Sequence, residues 1–280
     1  MTKDQESATS QLGPPGFDTG SHEDFYEYYK KQSLSPQTMQ RFGAVAEIVL
    51  RVREATPGLP LDVLDVGCGA GAQCQFWADK GHRYQGIDIN EPLIRLARER
   101  AAEQGRDARF EVGSATSLPF AEASFDACLL PELLEHVADW RACLNEAVRV
   151  LRPKGVIYIS TSNKLCPKQE EFNLVGYSWY PGFVKRHIER RAVTDWPAVA
   201  NYAKYPAVHW FSFYQLRKFL GGRGFRSLDR FDVMRTDNKS GFARAVVGLL
   251  RRAAPLRFLG HILTPYTVVV AQLSETRGAK

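Results

Sequence analysis

The chain predicts an α/β fold: a doubly wound, mostly parallel seven-stranded sheet with helices on both faces and one inserted, aromatic-rich lid. Three observations lead there. From Leu61 to Ser160, short Val/Ile/Leu runs alternate with Ala/Leu/Glu/Arg stretches across turns that hold Gly or Pro, as a parallel sheet requires. The first run passes into VLDVGCGAG, Val63 to Gly71, and the next, Tyr84-Gln85-Gly86-Ile87-Asp88, ends in an acid; a glycine turn and an acid ending two successive strands make a nucleotide-like crevice. Finally, 280 residues at 44% hydrophobic content bury a full core, which excludes a wholly disordered chain.

Along the chain, residues 1–24, with Gly13-Pro14-Pro15-Gly16, read as a flexible lead, because they offer little apolar surface to offset ordering. Phe25, Tyr26, Tyr28 and Tyr29 then cluster ahead of a helix over Pro36–Ala55, whose Phe42, Val45, Ile48, Val49 and Val52 follow helical spacing. The cluster either packs on the core or lies over a ligand. Leu61–Val66, Tyr84–Asp88, Arg109–Val112, Phe125–Leu130 and Gly155–Ser160 read as five strands. Helices are expected over Gly71–Lys80, over Pro92–Gln104 with Pro92 in the first turn, and over Trp140–Leu151. The strand period fails over 163–210, the expected lid. A helix over Ser212–Leu220 follows, opened by its serine, then a turn at Gly224-Phe225 and late strands at Phe231–Met234 and Tyr266–Leu273.

Net charge is +6, unevenly spread. Residues 1–24 hold one lysine and five acids, whereas residues 204–280 hold fourteen Lys/Arg and four acids; such a tail meets nucleic acid, anionic lipid or only water. Cys68, Cys74, Cys128, Cys143 and Cys166 lack metal-site spacing and read as reduced thiols, so no metal is expected. The polar start has no apolar signal core, and no window is long enough to span a membrane. The expectation is a cytoplasmic protein, with a peripheral place on the inner membrane face left open.

Gly67, Gly69 and Ala72 also satisfy the loose glycine pattern of dinucleotide enzymes. Asp65, the extra Gly71 and the later motifs shift the balance. Gly113–Phe120 (GSATSLPF), Ser124-Phe125-Asp126, Leu134-Glu135-His136-Val137 and Arg149-Val150-Leu151-Arg152-Pro153-Lys154-Gly155 follow in order. Over Leu61–Asn163 the chain resembles the class I S-adenosylmethionine-dependent methyltransferases of the small-molecule type, including quinone and sterol methylating enzymes. The resemblance implies a Rossmann-like methyltransferase domain over 25–280 and S-adenosylmethionine as cofactor. It further implies that Asp65, Gly67, Gly69 and Gly71 line the methionine end, that Asp88 holds the ribose, that Ile89 packs on the adenine, and that Ser114 and Ala115 border it. Ser114 stands where the family usually has an acid, and Lys154 where a second glycine is common. Asp65 has a second reading, as a cap on neighbouring amides; Cys68 reads as small-residue packing in the turn.

Methyl transfer to oxygen or carbon needs a proton acceptor. His136, after the fourth strand, has a side chain suited to that by its ordinary pKa, and His209, where the lid returns among Trp210 and Phe211, is the second catalytic candidate. Both also read as packed or satisfied histidines, and Glu132 and Glu135 as structural or solvent-facing. The aromatics Phe172, Tyr177, Trp179, Tyr180, Phe183, Trp196, Tyr202, Tyr205, Trp210, Phe211, Phe213 and Tyr214 suit a lipophilic or aromatic acceptor. Residues 241–262 carry four arginines and no acid among apolar side chains, a pattern for a membrane interface or for a helix pair over the sheet end. A nucleic-acid methyltransferase is disfavoured, since Leu130-Pro131-Glu132-Leu133 replaces the usual base-methylating signature. A catalytically inactive cofactor-binding partner remains the other alternative.

Overall fold

The strands are β1 (Asp62–Val66), β2 (Arg83–Asp88), β3 (Ala108–Val112), β4 (Phe125–Pro131), β5 (Leu151–Ser162), β6 (Phe225–Asp229) and β7 (Tyr266–Leu273). In this computed structural model they form one sheet in the order β3-β2-β1-β4-β5-β7-β6. All pairs are parallel except those of β7, which runs antiparallel to β5 and β6. The structure describes residues 33–168, 172–200, 207–237 and 239–275. The expected lead at 1–24, the Phe25, Tyr26, Tyr28 and Tyr29 group, and Tyr202 and Tyr205 lie outside the described residues.

The helices are α1 (Pro36–Val52), α2 (Gln75–Ala78), α3 (Glu91–Glu103), α4 (Trp140–Val150), α5 (Gly182–Ala192), α6 (Phe213–Gly221), α7 (Arg230–Val233), α8 (Gly241–Arg252) and α9 (Ala254–Ile262). Side chains of successive strand residues point to opposite faces, and here that divides the core in two. Leu64, Val66, Cys128, Leu130, Ile157 and Ile159 face Trp140, Leu144 and Leu216 of α4 and α6. Val63, Ala127, Leu129, Val156 and Tyr158 face Val45, Val49 and Ile94 of α1 and α3. Burial on both faces explains why the central strands read as nearly continuous apolar runs. Local signals start the helices: the Ser35 hydroxyl accepts from the Thr38 amide at 3.3 Å before α1, and the Asn90 side chain accepts from the Leu93 amide at 3.1 Å before α3.

Two expectations fail. The helix expected over Gly71–Lys80 shrinks to the single turn of α2, because Cys74 and Phe76 bond back three residues rather than four. The late strand is β6, Phe225–Asp229, not Phe231–Met234, and Phe225 belongs to that strand rather than to a turn. Asp229 ends the strand by capping α7: its carboxylate accepts from the Phe231 and Asp232 amides at 2.8 and 3.1 Å, and Asp232 answers on the Asp229 amide at 3.1 Å. Lys154 occupies the left-handed region at φ 63°, so it takes the conformation a glycine would favour in the turn inside β5.

The same Asp229 carboxylate, fully buried, receives Arg257 Nε at 2.7 Å and His261 Nε2 at 2.8 Å from α9. Burial alone raises its pKa, but hydrogen bonds from His261 and Arg257 outweigh that and hold it below the usual carboxylate range. A depressed folded pKa adds stability above the unfolded value of about 3.9, and the gain is lost as pH falls through the folded value. Urea unfolding at pH 7 is expected to show Asp229→Asn less stable by about 3 kcal/mol, with the gap to the parent closing below about pH 4. A constant gap would mean that the carboxylate charge contributes nothing.

Candidate active site

Strand order reverses at β1, which has β2 on one side and β4 on the other, so a crevice opens beyond the carboxyl ends of these strands. The glycine turn lines it. Gly67, Gly69 and Gly71 have φ of 75°, 51° and 70°, values that L side chains rarely adopt. A Cβ on Gly67 would lie 2.9 Å from Leu133 Cδ1, and one on Gly71 would lie 2.8 Å from Phe110 Cε1; the turn therefore packs too closely for any side chain at these two positions.

Asp88 ends β2 with its carboxylate turned to the same place: Oδ2 accepts from the Gly69 amide at 2.9 Å and Oδ1 from the Asn90 amide at 2.8 Å. Burial pushes its pKa up, and the amide bonds from Asn90 and Gly69 counter this. Beside it, Ile89 is 49% exposed and Val112, paired in register with Asp88, is 47% exposed, leaving an apolar shelf next to a hydrogen-bond acceptor. Val112 is a residue the motif reading passed over; its signal was an apolar side chain ending the strand that neighbours Asp88. The Gly113 amide bonds to the Asp88 carbonyl at 3.0 Å, which ties the Ser114 loop to the strand end. Ser114 Oγ lies 2.8 Å from Thr116 Oγ1 and accepts from the Thr116 amide, and Ala115 packs on the core.

Asp65 sits deeper, 1% exposed. Its Oδ2 accepts from Tyr84 Oη at 2.5 Å and from Gln73 Nε2 at 3.0 Å, so side chains hold it and it caps no neighbouring amide among the described residues. Among the described residues, Asp65 Oδ1 and Gln73 Oε1 are buried without a partner. Two orphaned acceptors beside a glycine turn fit an ammonium group, which brings three donors and no acceptor, and this matches the amino end of S-adenosylmethionine. Tyr84 and Gln73, which hold that pair, were invisible as site residues because neither belongs to the glycine motif. Cys68 lies under Gly86, where an added Cβ would meet its Sγ at 2.7 Å, and burial pushes its thiol pKa well up; it packs rather than reacts.

The two histidines come from distant sequence to adjoining segments. The Val208 and His209 amides donate to the Glu135 carbonyl at 2.9 and 3.2 Å, and His209 Nε2 lies 3.1 Å from the Ala138 carbonyl, placing its proton there. His209 thereby fastens the returning insertion onto the loop after β4. His136 is half-buried, its ring makes no hydrogen bond among the described residues, and burial pushes its pKa down to about 4. The expected near-neutral titration is thus corrected: this imidazole is neutral, and a weak proton acceptor, at pH 7. Glu135 is 1% exposed and accepts from Thr161 Oγ1 at 2.7 Å, while Glu132 pairs with Arg41.

Residues 163–210 hold α5 and two short 3₁₀ turns. Their aromatic richness is mostly spent internally: Phe172, Tyr177 and Trp210 are buried with Ile188 and Val199 in a small core, Phe172 stacking on Tyr177 at 4.0 Å. Among the described residues Trp179, Phe183 and Trp196, 58%, 69% and 39% exposed, are the large aromatics this segment turns outward.

The Asp65 carboxyl carries a pH signature. Burial pushes its pKa up to about 7 despite the bonds from Tyr84 and Gln73. A raised folded pKa gives stability that is complete below the unfolded value of about 3.9 and is lost as pH rises through the folded one. Thermal or urea unfolding without cofactor is expected to weaken by about 2–4 kcal/mol between those limits, and Asp65→Asn is expected to abolish that slope. Equal slopes in both proteins would assign the titration elsewhere.

Residues 64–159 match the family model described as "Methyltransferase domain"; the span includes Asp65, the glycine turn, Asp88, Ser114, Ala115 and His136, and leaves His209 outside. The chain is 35% identical over 141 residues to a ubiquinone biosynthesis O-methyltransferase of Parvibaculum lavamentivorans, covering 50% of this chain and 55% of that protein. It is 37% identical over 103 residues to the protein of the same description from Idiomarina loihiensis, covering 36% and 42%. It thus spans about half the length of the curated relatives it matches. A solved protein of Pyrococcus horikoshii superposes with a TM-score of 0.56 at 17% identity, covering 89% of this chain and 99% of that one, a likeness of fold. The glycine turn and the carboxylate closing β2 both lie within residues 64–159, the span similar to the methyltransferase-domain model.

Proposed function

We propose that this protein transfers a methyl group from S-adenosylmethionine to an oxygen or carbon of a lipophilic or aromatic small molecule. The observation that carries the reading is the Asp88 carboxylate held against the glycine turn beside the exposed Ile89, since it offers a diol acceptor and an apolar shelf together. The relatives in Parvibaculum and Idiomarina are described as ubiquinone biosynthesis O-methyltransferases, which supports an oxygen of a lipophilic aromatic ring as the acceptor.

In this reading Asp65 and Gln73 take the amino group, the turn at Gly67–Gly71 lies along the methionine part, Asp88 binds the ribose, and Ile89, Val112 and Ala115 border the adenine. The bound cofactor supplies an activated methyl on a positive sulfonium, so the protein's work is to align an acceptor and keep water out. His136 takes the acceptor's proton. Its neutral ring is ready for that at pH 7, though its low basicity limits the help it gives. His209 is a positioning residue that holds the insertion on the loop carrying His136. The exposed Phe242, Val246 and Leu249 of α8 and Leu259 and Leu263 at α9, with Arg244 and Arg252 nearby in sequence, support peripheral contact with an anionic membrane from which such an acceptor is drawn.

Calorimetry with S-adenosylhomocysteine is expected to show binding by the parent and a loss of at least about tenfold in Asp88→Ala; equal affinity would remove the ribose assignment. With labelled cofactor and a native lipid extract, His136→Gln is expected to slow transfer more than about tenfold while binding S-adenosylhomocysteine as the parent does. An unchanged rate would take the imidazole out of the chemistry. Co-sedimentation with phosphatidylglycerol vesicles is expected to fall about tenfold in Phe242→Asp/Leu263→Asp, and equal sedimentation would refute the membrane contact.

A further inference from the structure

The opposite edge of the sheet carries a second cleft, of ≈ 680 Å3, between α6, β6 and the junction of α8 with α9. Five arginines line it, Arg217, Arg226, Arg251, Arg252 and Arg257, against the single carboxylate of Asp232. That carboxylate is already engaged, by Arg257 and by the Asp229 amide. Arg257 is spent on Asp229 and Asp232, and Arg251 on the carbonyls of Phe231, Asp232 and Met234.

Arg217, Arg226 and Arg252 are different. All three are exposed, and among the described residues they make no hydrogen bond or ion pair. Each comes from a separate element, α6, β6 and α8, so no single helix pattern accounts for their meeting. Like charges gathered on one rim repel unless an anion sits among them. The cleft also has aromatic walls at Phe213 and Tyr214. Guanidinium forks match phosphoryl oxygens.

We propose that this cleft is a phosphate site, in which Arg217, Arg226 and Arg252 bind the phosphoryl oxygens of a phosphate ester. The ester comes either as a soluble phosphorylated compound or as a lipid headgroup. The site lies apart from the glycine turn and does not depend on the methyl-transfer reading.

Two probes on the full chain test it: inorganic pyrophosphate by calorimetry, and vesicles of phosphatidylglycerol against phosphatidylcholine by co-sedimentation. The parent is expected to bind pyrophosphate, the phosphatidylglycerol vesicles, or both. Arg217→Gln/Arg226→Gln/Arg252→Gln is expected to bind at least about tenfold more weakly with S-adenosylhomocysteine affinity unchanged; Arg226→Gln alone serves should the triple variant unfold. Loss of pyrophosphate binding identifies a soluble phosphorylated compound as sufficient, and loss of vesicle binding alone in Arg217→Gln/Arg226→Gln, which keeps Arg252, identifies the headgroup. Phe242→Asp separates the cleft from the apolar face, because it leaves pyrophosphate binding intact. A parent that binds neither probe, or an arginine variant that binds both as the parent does, overturns the proposal.

Discussion

The carboxylate of Asp88 joins two backbone turns, the one after β1 through the Gly69 amide and the one before α3 through the Asn90 amide. A charged-assisted bond to a backbone amide is among the stronger protein hydrogen bonds, and this one fixes the width of the crevice. The turn on its other side leaves no room for a side chain, since a Cβ added at Gly67 or Gly71 would meet Leu133, Phe110 or Ala97. Crevice, apolar shelf and buried acceptor pair therefore adjoin one another at the ends of β1 and β2. Such an arrangement suits a cofactor that carries its own reactivity and asks mainly for placement.

The central sheet and the cofactor crevice were legible in the sequence because their signals are local. β1 and β4 are buried on both faces and read as apolar runs, while glycine and a strand-end acid sit within a few residues of the turn they build. What was not legible depends on partners far along the chain. β6 turns Ser227 and Asp229 inward, so its pattern does not read as a strand until His261 and Arg257 arrive from α9 to satisfy Asp229. The short α2 has the same origin: Gln73 is drawn to Asp65 at the centre of the sheet, within a tight turn that a helical pattern over 71–80 does not reveal.

The insertion teaches a similar lesson about composition. Twelve aromatics in one stretch suggested a surface for a broad apolar substrate, yet Phe172, Tyr177 and Trp210 close on one another to give the segment a core of its own. A segment with no named strand among its described residues needs that apolar volume. What it presents outward is narrower, chiefly Trp179 and Phe183. The histidines show burial altering chemistry in the same manner: sequence offers two similar side chains, and the fold makes one a fastener on the Ala138 carbonyl and the other a neutral ring with no hydrogen bond among the described residues.

The central claim is spatial, that an adenosyl group lies between the turn after β1 and the end of β2. A co-crystal structure with S-adenosylhomocysteine tests it most directly. The account predicts the ribose hydroxyls on the Asp88 carboxylate and the amino group at Asp65 and Gln73. A ligand bound elsewhere, with the Asp88 carboxylate facing only the Gly69 and Asn90 amides, would contradict it.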